Sequence, residues 1–131
     1  MSQDDSRRAV LTEGAPIPLG SYSQGVVSAG LLFVSGQVPV DPATKAVPQD
    51  FTDQVRRTLD NVSAIAEAAG ARLADAVRIG VFLANLDDFP KMDAVYREYF
   101  EDPMPARTTV GVGIRGYDIE IDAVIALRAD R

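Results

Sequence analysis

Four side chains near the end of this 131-residue chain could do chemistry together: Arg107, Thr109, Glu120 and Asp122. Each pair is spaced by two, so on extended backbone each pair shares a strand face. Between them lies Gly111-Val-Gly-Ile-Arg-Gly116, which reads as a glycine-rich hairpin turn. If that turn centres on Ile114-Arg115, Thr109 faces Glu120 and Arg107 faces Asp122, and all four share one face. The opposite face then carries Val110, Val112, Ile119, Ile121 and Ala123 as plain core. A guanidinium grips a carboxylate through two parallel charged hydrogen bonds, and a nearby carboxylate can move a proton. The same pattern describes either a solvated strand surface, which the spacing alone favours, or a polar site at a subunit interface.

Two further segments carry polar groups among small residues. Gly20-Ser-Tyr-Ser-Gln-Gly25 is a glycine-bounded loop presenting Tyr22. Ser35-Gly36-Gln37 interrupts an apolar strand, either as a bulge at its end or as a place where backbone N–H groups approach a small anion. Gly111 to Gly116 also matches G-x-G-x-x-G, but a dinucleotide site needs a helix after it. The following YDIEIDAVIAL alternates as a strand does, so that reading fails.

What is missing narrows the chemistry. The chain has no cysteine and no histidine, which removes disulfides, Cys- or His-based zinc sites and Ser–His or Cys–His nucleophilic pairs. Its only lysines, Lys45 and Lys91, sit in polar turn-like settings, unlike a buried Schiff-base lysine. The net charge of −6 suits neither nucleic acid nor an anionic membrane as partner. Residues 1–8 read as a flexible polar tail without a signal-peptide core, and no apolar run reaches membrane-spanning length. The expected setting is cytoplasmic. Asn61 begins an N-x-S triplet, but mid-helix, so glycosylation there is discounted.

The elements that must position these residues are legible from period and punctuation. Residues 9–131 read as one domain. Ala9 to Thr12 is a short edge strand, and Val26 to Ser28 and Leu31 to Gln37 form a hairpin about Ala29-Gly30. Asp50 caps a helix whose stripe is Phe51, Val55, Leu59, Val62, Ala66 and Ala69, and Gly70 ends it. Ala76 to Ala84 is a strand. Asp87 and Asp88 open a second helix with Pro90 in its first turn and Phe89, Met92, Tyr96 and Tyr99 as its stripe. Arg107 to Val112 and Tyr117 to Leu127 are the last strands. The sum is an α+β fold with two helices.

Two helices cover one face of such a sheet. Yet Leu31 with Leu32, Val81 with Phe82, and Val124 with Ile125 are apolar on both faces. The uncovered face would be a large apolar patch, which self-association removes.

Gly-Ser-Tyr-Ser-Gln-Gly (20–25), Phe-Val-Ser-Gly-Gln-Val-Pro (33–39), Thr-Leu-Asp-Asn-Val (58–62), Pro-Ala-Arg-Thr-Thr-Val (105–110) and Ile-Glu-Ile-Asp-Ala (119–123) stand in order. As an ordered set, spanning about Ala9 to Leu127, they resemble the RidA/YjgF family of enamine and imine deaminases. The resemblance implies a chorismate-mutase-like mixed sheet with both helices on one face. It implies a homotrimer with sites at the subunit interfaces, and hydrolysis of 2-aminoacrylate-type enamines and 2-imino acids without metal or cofactor. By the same resemblance Arg107 holds the substrate carboxylate and Glu120 the attacking water. Tyr22, Ser35, the Gly36 backbone and Thr109 line the pocket. Thr109 stands where many members have cysteine, Ser21 where proline is common, and the 113–116 turn is short. The alternatives are a non-catalytic carboxylate-binding trimer, a deaminase of another substrate, a ribonuclease and a chorismate mutase. The acidic charge, the missing histidine and the few cationic groups disfavour the last two.

Overall fold

A computed structural model describes residues 6–128. Six strands form one sheet: β1 (Arg8–Val10), β2 (Gly25–Ser28), β3 (Leu31–Gln37), β4 (Ala76–Leu83), β5 (Ala106–Gly111) and β6 (Ile119–Ala126). Their spatial order is β1-β2-β3-β6-β4-β5. All neighbours run antiparallel except β4 and β5. The helices are α1 (Phe51–Ala68) and α2 (Phe89–Tyr96). Strand β1 begins at Arg8, inside the expected tail, whose first five residues lie outside those described.

Local chemistry explains the ends. Ala29 and Gly30 both have positive φ, the conformation that a tight two-residue hairpin demands. The Asp50 carboxylate accepts the Asp53 amide at 3.2 Å and so caps α1. Gly70 follows in the left-handed region. Helix α2 follows a 3₁₀ turn at Leu86–Asp88 and stops at Tyr96, three residues short of the expected stripe.

The core lies between the helices and one sheet face. Val55, Leu59, Val62 and Ile65 of α1 and Met92 and Val95 of α2 bury against Leu32, Val34, Ile79, Val81, Ile119, Ile121 and Ile125. Each such side chain contributes about 1.5–3 kcal/mol of burial. The other face has no helix on it. It carries Val26, Phe33, Phe82, Val110 and Val124, all at least partly exposed, which is the bare apolar face expected from the doubly apolar strands.

The expected β5–β6 hairpin does not form. Strand β4 lies between them, pairing parallel with β5 and antiparallel with β6. Helix α2 links β4 to β5 as a β-α-β unit, so the backbone edge of β5 that β6 needs is occupied by β4. Residues 112–118 therefore cross over the end of β4, where Val112 N donates to Leu83 O and Ala84 N donates to Asp118 O.

Three buried amides pin the loops beside the sheet. Gln24 accepts the Thr12 amide at 2.7 Å and donates to the Thr12, Ala15 and Pro16 carbonyls. Asn61, fully buried, donates to the Val38 and Val40 carbonyls at 3.0 Å. That burial is incompatible with a glycan at Asn61. Gln54 donates to Pro48 O and accepts the Asp118 amide.

Candidate active site

Register decides which candidate residues meet. Arg107 stands opposite Ile79, and Thr109 opposite Val81. Across β4, Ile79 and Val81 face Ala123 and Ile121. All of these point to the helix-covered side. Glu120 instead stands opposite Phe82, and Asp122 opposite Gly80, on the bare side. The expectation that all four share a face is therefore wrong. Arg107 and Thr109 keep company, as do Glu120 and Asp122, but the two pairs lie on opposite faces. Val110, read as core, lies with Glu120 on the bare face, opposite Phe82. The error follows from the missing hairpin: inserting β4 changes the register that a direct β5–β6 turn would set.

Arg107 is clamped. Its Nη1 donates to Asp93 Oδ1 at 2.8 Å. The guanidinium carbon lies 4.6 Å from the centroid of Tyr96 and 5.2 Å from that of Phe89. Two aromatic faces and one carboxylate fix a planar cation well. Asp93 is the one carboxylate that it bonds among the described residues. Arg107 lines a pocket of about 530 Å³ together with Asp93, Tyr96, Arg97, Asp102, Met104 and Pro105. The Arg107 hydrogen bond holds Asp93 below the usual carboxylate range. Burial pushes the Tyr96 hydroxyl up.

Glu120 is half-buried and leans over Gly36. A Cβ at Gly36 would collide with its Oε2, so any larger residue there must push the carboxylate aside. Burial first, and the Asp122 charge second, raise the Glu120 pKa above its ordinary value. Asp122 in turn lies 3.5 Å from Arg78 Nη1 and packs against Gly80, where a Cβ would also collide.

Of the remaining candidates, Gly36 lies against Glu120, and Tyr22 and Ser35 belong to the neighbouring loop and strand. Tyr22 and Gly36 line a cavity of about 290 Å³ with Ile17, Leu19, Val38 and Tyr117. Its walls are the loops pinned by Gln24, Asn61 and Gln54. The Ser35 hydroxyl donates to Ser23 O at 2.6 Å, and the Ser35 amide to Gln24 O at 2.9 Å. Ser35 thus ties the Tyr22 loop to β3. Among the described residues no group of three or more acidic side chains could hold a metal ion.

Sequence reasoning missed Asp93, and it read Phe89 and Tyr96 only as core. Their spacing of four and three on α2 was the available signal: a carboxylate set into an aromatic stripe needs a cation.

The comparisons decide the lineage. The family model described as Endoribonuclease L-PSP matches residues 12–127. The chain belongs to this family, the RidA/YjgF proteins. A RutC family protein of Pyrococcus horikoshii is 44% identical, the match covering 90% of this chain and 96% of that one. The 2-iminobutanoate/2-iminopropanoate deaminase of Escherichia coli K12 is 41% identical over 92% of this chain and 98% of its own. The crystal structure of the Escherichia coli YjgF gene product superposes with a TM-score of 0.86 at 40% identity, covering 92% of this chain and 99% of that one. The mixed sheet with two helices on one face is thus the RidA-like fold that the sequence motifs implied.

Proposed function

We propose that the protein is a hydrolytic deaminase of 2-imino and 2-enamino acids, with each site assembled between two copies of a homotrimer. One observation carries this reading. Arg107 lines a pocket on one face, while Glu120, with its raised pKa, stands on the other. Within one copy they cannot grip one small substrate. A neighbouring copy packed on the bare face supplies the missing half, and such packing covers the exposed Phe33 and Val110. The 41% identity to a named 2-iminobutanoate/2-iminopropanoate deaminase supports the substrate class.

The chemistry is modest and balances without a cofactor. The Arg107 guanidinium holds the substrate carboxylate of an imino acid. Water held by Glu120 adds to the imine carbon. A C–O bond forms, Glu120 accepts the water proton, and the C=N π pair moves to nitrogen. Glu120 delivers that proton to the nitrogen, giving a carbinolamine. Glu120 then takes the hydroxyl proton and passes it to the amino group; the C=O bond forms as the C–N bond breaks, and ammonia leaves a 2-oxo acid. An enamine enters the same path after protonation at its terminal carbon. Tyr22 and Gly36 line the cavity beside Glu120, Ser35 holds their loop, and Thr109 lies two residues from Arg107 on its face. A ribonuclease reading of the family description gains nothing from a chain of net charge −6 without histidine.

The test generates 2-iminobutanoate in situ from an amino acid and an oxidase, with semicarbazide as trap. Wild-type protein suppresses semicarbazone formation and Arg107→Ala does not. Wild type no better than buffer removes the deaminase reading.

A further inference from the structure

We propose that Asp93 is a positioning residue for Arg107, holding the guanidinium in one orientation so that the N–H groups turned from Asp93 are presented to the ligand. This deepens the deaminase reading, since it rests on Arg107 as carboxylate anchor. Asp93 stands four residues after Phe89 and three before Tyr96. All three therefore lie on one side of α2, the side that Arg107 enters. The aromatic rings fix the plane of the guanidinium but not its rotation within that plane. The 2.8 Å contact of Nη1 with Asp93 Oδ1 removes that freedom. The second Asp93 oxygen accepts from Arg97 Nη2 at 3.1 Å, so the carboxylate is itself held by a cation on each side. Asp93 is about three-quarters buried, where a charge-assisted bond of this length is strong. Both of its oxygens already face cations, and its negative charge repels a substrate carboxylate. It acts through Arg107.

The role separates from mere stability by two readouts on the full-length protein. One is kcat and KM for 2-iminobutanoate, beside the Kd of the unreactive carboxylate 2-oxobutanoate by calorimetry. The other is the Arg107 Nε–H signal in nitrogen-15 spectra, assigned with Arg107→Ala. In Asp93→Ala, kcat falls on the order of 100-fold, as for a misplaced binding group, and the Nε–H signal broadens. Binding of 2-oxobutanoate does not weaken, because a positive site has lost its internal anion. Asp93→Asn keeps an acceptor oxygen and restores the signal and much of kcat. Should Asp93→Ala fail to fold, Asp93→Ser carries the same test. An Asp93→Ala enzyme within about two-fold of wild type in kcat, with its signal intact, overturns the proposal. So does weaker 2-oxobutanoate binding with kcat intact, which makes Asp93 a ligand contact. If wild type binds 2-oxobutanoate yet hydrolyses no imine, the deaminase reading falls and the Nε–H signal alone decides. If wild type binds no 2-oxobutanoate, both readings fall.

Discussion

Arg107 and Glu120 face away from each other across one sheet. Arg107 is opposite Ile79 on the helix-covered side, and Glu120 is opposite Phe82 on the bare side. A small imino acid spans a few ångströms, less than the thickness of the sheet and its side chains. Chemistry that needs both residues therefore needs two copies of the chain, and the exposed apolar face is where a second copy gains most from packing.

Loss of the carboxylate anchor is expected to be severe. Arg107→Ala lowers kcat/KM for 2-iminobutanoate at least ~100-fold, about 2.7 kcal/mol of transition-state stabilisation. Arg107→Lys recovers little, because a point charge has no planar fork to stack between Tyr96 and Phe89. Steady-state kinetics check both, and a wild-type rate in Arg107→Ala contradicts the assignment.

Glu120 sets the acidic limb of the pH profile. Only the ionised carboxylate takes a proton from water, so activity rises with pH through the Glu120 pKa, which burial and Asp122 raise. Asp122→Asn removes the like charge and shifts that limb to lower pH. Raising the pKa stabilises the protonated folded form relative to the ionised one. Glu120 therefore favours folding below its unfolded value and loses that contribution as pH rises through the folded value. Asp93 behaves oppositely. Its pKa is depressed by Arg107, so its contribution is present above the ordinary Asp range and disappears as pH falls through the depressed value. Thermal melts of Asp93→Asn between about pH 3 and 7 check the second sign.

Gly36→Ala is expected to leave the protein folded and impair it catalytically. The added methyl group meets Glu120 Oε2, and a shift of about 1 Å in a reacting group costs on the order of 100-fold in rate. An active Gly36→Ala enzyme implies that Glu120 can work from another rotamer.

Gln24→Ala tests the loop scaffold. Its buried amide accepts one N–H and shares its two hydrogens among three carbonyls. Each group left unsatisfied costs about 1–3 kcal/mol. A clear drop in melting temperature is expected, together with a raised KM as the Tyr22 loop loosens. A lower melting temperature with KM unchanged separates the loop from the site.

Local signals in the sequence carried far. The Ala29-Gly30 hairpin, the Asp50 cap, the Gly70 stop and the α1 stripe stand as the residue types dictate, because each depends on neighbours within a few positions. The bare face was legible from adjacent apolar pairs such as Val81 and Phe82. The β5–β6 relationship was not, because Gly111 to Gly116 resembles a turn whether or not β4 intervenes. Strand insertion is decided by which backbone edge is already paired, a non-local fact. Asp93 escaped for a similar reason: its partner Arg107, fourteen residues on, is close only in the folded chain.

The most direct test of a site shared between copies is complementation. Arg107→Ala and Glu120→Ala proteins, each inactive alone, are co-assembled in equal amounts and assayed for 2-iminobutanoate hydrolysis. If one copy supplies Arg107 and its neighbour Glu120, about a quarter of the interfaces hold both native residues, and about a quarter of wild-type activity returns. No activity above the separate variants, in mixtures shown to exchange protomers, contradicts the shared site.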